Sequence, residues 1–210
     1  MSFPPDLRML LTSAEDVATR LTRTHARSRG VEVVADVSID LGEVDRRQPY
    51  GQVKLANLEL LNLLLALPVG QRTRQQDFSM YEWNLLTRAN GACHVSFEPS
   101  GDAYVTRVAV PALTVSRITV RSSSWRSALT DASKFAPYCE RRILLESTPT
   151  HDTLLHLEAS YLGIGVALAD RTTATDDATV VELVPAAPFK PERFSGASWK
   201  FAEQIFEQTQ

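Results

Sequence analysis

Hydrophobic and polar positions near the start of the chain predict a helix, a strand and a loop in turn. Residues 12–15, a Thr-Ser-Ala-Glu segment, have the spacing of a capping box, so a helix is predicted to begin there and to end at Gly30. Residues 31–40 are rich in β-branched side chains with partial alternation, which predicts a strand. The segment 46–51 is polar and contains proline and glycine, and it predicts a loop.

A leucine-rich run follows and predicts a buried helix over 52–67, which a proline ends. The next stretch, 71–76, is polar and rich in arginine, and it is the best boundary in the chain. It divides the sequence into an N-terminal α-β-α extension over 1–76 and an α/β domain over 77–210. The extension is either a part of that same domain or a small domain of its own.

After residue 77 the pattern predicts the order αβββαβαββα. The elements are a helix with a capping box at Ser79 and Glu82, strands at 92–98, 104–110 and 115–121, a helix over 125–138, a strand at 142–146, a helix over 152–161, strands at 164–169 and 179–184, and a helix over 195–206. A hairpin-rich start followed by alternation predicts an α/β (α+β) protein with a mixed central sheet and helices on both of its faces.

Composition narrows the class of protein but not its function. The chain has 210 residues, of which 44% are hydrophobic, so a packed core is expected. The net charge of −3 gives no overall signature of a polyanion-binding protein. Cys93 and Cys139 form no CxxC motif, which excludes a disulfide scaffold and a zinc knuckle.

Charge is distributed unevenly along the sequence. Residues 104–142 contain seven basic and two acidic side chains, whereas 143–210 contain four basic and ten acidic ones. The middle of the chain is therefore basic within an acidic protein. No signal peptide is visible, and the leucine-rich run is too short for a membrane span, which needs about 20 residues. We therefore expect a cytoplasmic protein with no membrane partner.

Three local sequences resemble parts of one enzyme superfamily. Residues 117–129 combine a strand end, a serine-rich turn, Trp125 and a helix, 136–145 lead from a helix into a strand, and 162–170 form a later strand. With the order αβββαβ, they resemble the PD-(D/E)XK nuclease superfamily over about 77–184. The resemblance implies a restriction-endonuclease-like core.

The residues that carry the superfamily's chemistry are replaced in this sequence. An Asp on the second core strand and a Glu on the third bind Mg²⁺ in such nucleases, and a Lys two residues after the Glu orients the attacking water. The resemblance places the Asp position near 107–110, where no acid stands, and the other two on Thr119 and Arg121. Glu82 matches a helix Glu that some members add. Arginine cannot exchange a proton, so the resemblance implies a degenerate site with no catalytic residue, metal ion or cofactor.

Four basic residues of this region are candidates for binding nucleic acid: Arg117, Arg121, Arg126 and Lys134. Guanidinium groups bind phosphate oxygens in bidentate fashion, and the four could form one surface. The alternative is that they are solvated positions on a strand edge and a helix face. The sequence predicts a non-catalytic nuclease-fold protein that binds nucleic acid, or a protein in a larger complex, through a basic patch around 107–142.

Two other functions stay open. The chain could be a structural or homo-oligomeric assembly protein without nucleic acid, for which the leucine-rich helix and the acidic tail would matter most. Less favoured is a metal-dependent phosphodiesterase with relocated carboxylates, for which Glu98, Asp102 and Glu146 are the candidates beside Glu82.

Overall fold

The computed structural model describes residues 19–51, 55–147, 152–169, 180–191 and 193–209. Their strands are β1 (Thr19–Ser28), β2 (Val31–Asp40), β3 (Arg72–Arg74), β4 (Cys93–Phe97), β5 (Ala103–Arg107), β6 (Leu113–Ser122), β7 (Glu140–Leu145), β8 (Gly165–Ala169) and β9 (Val180–Val184). Their helices are α1 (Leu41–Arg47), α2 (Leu58–Ala66), α3 (Met80–Arg88), α4 (Trp125–Ser133), α5 (Asp152–Leu162) and α6 (Gly196–Phe206). None of these helices is long and apolar enough to cross a membrane.

Six strands form the larger of two sheets, in the order β1-β2-β6-β7-β8-β9. The strands β6, β7 and β8 are parallel, and every other neighbouring pair is antiparallel. The predicted α/β class with a mixed central sheet is therefore confirmed.

The first two strands form a hairpin where the sequence pattern predicts a helix before a strand. Arg29 and Gly30 have φ angles of 52° and 77°, as a tight two-residue hairpin turn requires. The strand β2 is confirmed, but the helix is wrong over Thr19–Ser28, and residues 12–18 lie outside the described residues. The predicted N-terminal order α-β-α is corrected accordingly, because a hairpin stands in place of the first helix.

Three helices pack on one face of the larger sheet. The connections β6–α4–β7 and β7–α5–β8 progress in the same direction across the sheet, so two right-handed crossovers place both helices on the same side. The helix α6 packs on β1 and β6 and joins the same core, whose fully buried members include Phe135, Ile118, Ile143, Leu155 and Ile205. The expectation of helices on both faces is corrected, since no helix in the described ranges covers the other face.

A smaller sheet has the order β3-β5-β4 and builds a second core with α2 and α3. The strands predicted at 92–98 and 104–110 exist as β4 and β5, but they pair with each other in the smaller sheet, and β2 is the strand that pairs with β6. The predicted run of three consecutive strands is therefore split between two sheets. The arginine-rich stretch 71–76, predicted as a boundary, contributes β3 to the smaller sheet.

Side-chain caps determine where the early helices begin. The Asp40 side chain accepts a hydrogen bond from the Glu43 amide and starts α1, a helix that the sequence analysis missed. Asn57 caps α2, which begins later than the predicted 52–67 helix, and residues 52–54 lie outside the described part. The capping box predicted at Ser79 starts α3 as expected.

Buried ion pairs join the two cores. The Arg47 guanidinium donates to both carboxylate oxygens of Glu203 at 2.7 and 2.8 Å and to Glu43 at 2.7 Å. It also donates to the Val110 carbonyl at 2.8 Å, and the Trp199 indole donates to Glu203 at 3.0 Å. Burial alone would lower the pKa of Arg47, but the bonds and charges of Glu203 and Glu43 outweigh it and raise that pKa. The network ties α1, α6 and the entry to β6 together.

The contact between α2 and α6 requires a glycine. A Cβ atom at Gly196 would lie 2.2 Å from Oδ1 of Asn62 and 3.2 Å from its backbone nitrogen. The backbone of α6 can approach α2 this closely only because Gly196 has no side chain.

Removing one member of the buried network should destabilise the fold strongly. In Glu203→Ala the Arg47 charge loses its bidentate partner inside the protein, and we expect a loss of about 3–5 kcal/mol in the free energy of unfolding. Urea denaturation measures it. The control is Asp131→Ala, which removes an acid that pairs with Lys134 at the surface, and it should cost less than about 1 kcal/mol. Equal small losses would contradict the role given to Glu203.

Gly196→Ala should destabilise the protein although alanine favours helices. The added methyl group meets Asn62, and we expect a cost of about 1–3 kcal/mol in thermal or urea unfolding. Gly42→Ala is the matched control in α1, because the nearest atom to its new Cβ lies 3.4 Å away. It should change stability by less than about 1 kcal/mol. A neutral Gly196→Ala would show that the two helices separate easily.

Candidate functional site

The face of the larger sheet opposite α4, α5 and α6 carries most of the charge on this sheet. Side chains on alternate positions of a strand point to opposite faces, and the inner positions of β2 are Val33, Ala35 and Val37. The other set defines what we call the polar face: Arg23, His25 and Arg27 on β1, Glu32, Val34 and Asp36 on β2, Arg117, Thr119 and Arg121 on β6, and Glu140, Arg142 and Leu144 on β7.

One row across this face is an alternating chain of charges. Asp36 stands opposite Arg23 and bonds its guanidinium at 2.8 Å. Asp36 also lies 3.7 Å from Arg117, which bonds Glu140 on the next strand. Both acids of this row therefore pair with guanidinium groups, and Arg117 forms ion pairs with both acids.

The next row places a hydroxyl beside an unpaired cation. Thr119 stands between Val34 and Arg142 in the register and is only 4% exposed. The Nε atom of Arg142 is buried without a hydrogen bond, and Arg142 has no ion pair among the described residues. Burial, and then the positive charge of Arg117, lower the pKa of Arg142, although the charges of Asp36 and Glu182 partly oppose them. An anion at this position would relieve that cost.

The third row contributes a second unpaired cation. Arg121 is exposed, stands opposite Leu144, and forms no ion pair within the described part of the chain. A cavity of about 360 Å³ lies beside it, and its lining residues include His25, Arg27, Glu32, Thr119 and Arg121. Guanidinium groups and a hydroxyl supply several donors here, which suits an oxyanion.

The four candidate cations lie in two layers of the protein. Arg117 and Arg121 belong to the polar face, whereas Arg126 and Lys134 are on or next to α4, which covers the other face. The Arg126 guanidinium lies 4.4 Å from the centre of the Trp125 ring, and Lys134 pairs with Asp131 at 2.7 Å. Arg142, which the sequence analysis left out of the candidate set, stands beside Thr119 instead.

The positions implied by the nuclease resemblance also lie in different parts of the structure. Glu82 accepts hydrogen bonds from the Ser79 amide and hydroxyl at 2.8 and 2.7 Å, which lower its pKa, and it lies on α3 beside the smaller sheet. The expected Asp position near 107–110 is also away from Thr119, because β5 belongs to the smaller sheet.

Arg107 has a structural environment of its own. It is buried, lies 5.0 Å from the centre of the Trp199 ring, and donates to the carbonyls of Leu64, Leu67 and Ala109 at 2.8, 3.1 and 2.9 Å. Burial lowers its pKa. Arg107 therefore stabilises the end of α2 and contributes nothing to the polar face.

The carboxylates considered as relocated metal ligands make local contacts. Glu98 pairs with Arg72 at 3.0 Å, Asp102 accepts from Ser100 at 2.8 Å, and Glu146 is exposed just after β7. Among the residues that the structure describes, no three His, Cys, Asp or Glu side chains form a group that could hold a metal ion.

Comparisons of the chain with protein-family models, curated proteins and solved structures find no match. A function for this chain is therefore inferred from the polar face itself.

Both cysteines lie away from the polar face and are held as neutral thiols. Burial raises the pKa of Cys93 to about 11, although the charges of Arg107 and Arg46 partly oppose it, and burial raises the pKa of Cys139 to about 12. Neither side chain has the low pKa of a catalytic thiol.

Alkylation should show these raised pKa values. At pH 8 only about one Cys93 in a thousand is a thiolate, so iodoacetamide should react over 100-fold more slowly than with the unfolded chain, whose thiols have a pKa of about 8.5. The unfolded state gains thiolate above about pH 8.5, so stability should fall as the pH rises further. Mass spectrometry of native and guanidinium-treated protein measures the rates. Rapid modification of the native protein at pH 8 would contradict the burial of these thiols.

Proposed function

We propose that the polar face binds the phosphate backbone of a nucleic acid and does not cleave it. The observation that carries the proposal is the arrangement around Thr119, where neither Arg121 nor Arg142 forms an ion pair among the described residues. A phosphate oxygen accepts hydrogen bonds from guanidinium and hydroxyl donors alike.

The spread of the cations favours a ligand with repeated charges. Arg27, Arg121 and Arg142 lie on three different strands, and neighbouring strands are about 4.8 Å apart. A single small anion contacts one or two of them, whereas a backbone of successive phosphates contacts all three. A cytoplasmic location, which the sequence predicts, is compatible with such a ligand.

Binding without cleavage is supported by the residues beside Thr119. Asp36 and Glu140 are bonded to Arg23 and Arg117, and Arg121 cannot accept a proton from water. The PD-(D/E)XK resemblance, which the sequence places over about 77–184, stays a prediction.

The assembly alternative loses one of the two features on which it relied, the leucine-rich helix. The leucines of α2, among them Leu60, Leu61 and Leu64, are buried in the second core with Trp199. A substitution such as Leu61→Asp would therefore test folding and not assembly. A protein partner with acidic side chains stays the alternative ligand for the polar face.

Arg121→Glu should weaken nucleic-acid binding at least tenfold, because it replaces an exposed unpaired cation by an anion. Fluorescence anisotropy with labelled single-stranded and duplex DNA and RNA of about 30 nucleotides, in a salt series, measures it. The salt slope should fall by about one. Arg142→Gln should also weaken binding.

Lys134→Glu is the matched control, because it makes the same change of charge on the other layer, and it should stay within twofold of the unmodified protein. No binding at low salt, or equal losses for Arg121→Glu and Lys134→Glu, would contradict the proposed site. Incubation of plasmid with Mg²⁺ or Mn²⁺ should leave it intact, and nicking would contradict binding without cleavage.

A further inference from the structure

A second cavity, beside the smaller sheet, is lined by residues that the function proposed above does not use. It has a volume of about 360 Å³ and is formed by the end of β3, the start of α3 and the turn before β5. Cavities of this size that combine aromatic and polar residues are typical binding sites for small molecules. We name it the α3 cavity, and its lining includes Arg74, Gln75, Gln76, Phe78, Trp83 and Asp102.

Two aromatic residues supply the apolar part of the α3 cavity. The rings of Phe78 and Trp83 lie 6.3 Å apart between their centroids, with an angle of 36° between their planes. Trp83 is half-buried, whereas the other two tryptophans, Trp125 and Trp199, are 8% and 0% exposed. The indole N–H of Trp83 donates to no acceptor within the described residues, in contrast to that of Trp199. An accessible indole ring of this kind can stack with a planar ligand and donate a hydrogen bond to it.

The polar groups of the α3 cavity are also available to a ligand. The side chains of Arg74, Gln75 and Gln76 are exposed and form no ion pair or hydrogen bond in the described part of the chain. Asp102 accepts from the Ser100 hydroxyl with one carboxylate oxygen, Oδ2, and the other oxygen stays available. Arg74 and Asp102 do not pair with each other. One ligand can therefore meet a cation, an anion and two amides here.

A nucleotide combines the groups that these residues bind. Its base is planar and stacks on an indole ring, and its phosphate accepts hydrogen bonds from a guanidinium group. The hydroxyl groups of its sugar and the amino group of a base donate to a carboxylate. A nucleoside monophosphate also has a volume of the same order as the cavity, whereas a free amino acid would fill much less of it.

We propose that the α3 cavity binds one nucleotide, with the base against Trp83, the phosphate at Arg74, and a sugar hydroxyl or base amino group at Asp102. The nucleotide is either free or an unpaired residue of a nucleic-acid chain, since both present the same groups. The cavity belongs to the smaller sheet and shares no residue with the polar face, so the proposal does not rest on the function proposed above.

Tryptophan fluorescence of the full chain, titrated with AMP, GMP, CMP and UMP, tests the proposal. Excitation at the red edge of the tryptophan band avoids absorption by the nucleotides. Because Trp83 is the most accessible of the three tryptophans, a stacked base should quench the emission at nucleotide concentrations up to about 5 mM. Trp83→Ala should remove the quenching and weaken binding at least fivefold in calorimetry. The proposal is overturned if none of the four quenches, or if quenching persists in Trp83→Ala.

Arg74→Ala separates the contact with the phosphate from the contact with the base. We expect its affinity for a monophosphate to fall at least fivefold and its affinity for the nucleoside, which has no phosphate, to change less than twofold. Arg88→Ala is the matched control, because Arg88 is an exposed arginine at the other end of α3, and it should change neither affinity. Equal losses in these two variants overturn the proposed site. Circular dichroism verifies folding, and if Trp83→Ala fails to fold, the two exposed arginine variants decide.

Two further ligands distinguish the sources of the nucleotide. A single strand of about 16 nucleotides and its duplex are titrated in the same fluorescence assay. Quenching by the single strand at lower concentration than by the monophosphates assigns the cavity to an unpaired base of a chain, and quenching by the monophosphates alone assigns it to a free nucleotide. Both results support the proposal, whereas a duplex that quenches as strongly as the single strand overturns it. Arg121→Glu should leave the monophosphate titration unchanged, so failure of this site and failure of the polar face are distinguishable.

Discussion

The buried pairing of Arg47 with Glu203 and Glu43 is the interaction on which the arrangement of the chain depends. A buried charge is tolerated only when its partners stand at hydrogen-bond distance, so α1 and α6 cannot shift relative to each other without a large cost. The bond from Arg47 to the Val110 carbonyl extends this constraint to the segment that enters β6. The two cores are therefore joined by ion pairs and not by apolar contact alone.

The position of β6 in turn determines the chemistry of the polar face. The pairing of β6 with β2 shifts its register between Asp36 and Val37. As a result, Asp36 stands opposite Arg117 and Val34 stands opposite Thr119. The parallel register with β7 adds Arg142 beside Thr119. A slip by one residue would move all these side chains to the helix-covered face. The unpaired cations around Thr119 are thus a consequence of strand register.

Local patterns predicted most elements but failed where the pairing of distant segments decides the structure. The helix start at Ser79 and the strand β2 could be predicted, because the capping box and the β-branched run each lie within a few residues of sequence. The strand β1 was predicted as a helix. Its inner positions are threonine, alanine and serine, and without large apolar residues the alternation of apolar and polar positions is weak. Asp40 and Glu43 held a capping signal for α1 that was overlooked.

Only the part of the site that lies on β6 could be predicted from the sequence. Thr119 and Arg121 share a face because they are two residues apart, which the sequence alone establishes. Asp36 and Arg142 could not be found, because they reach Thr119 and its neighbours through the pairing of β6 with β2 and β7. The resemblance places an acid near 107–110, but β5 belongs to the smaller sheet and its last residue is the buried Arg107. The chemistry of a strand-built site therefore follows from which strands are neighbours, and chain order alone gave the wrong neighbour.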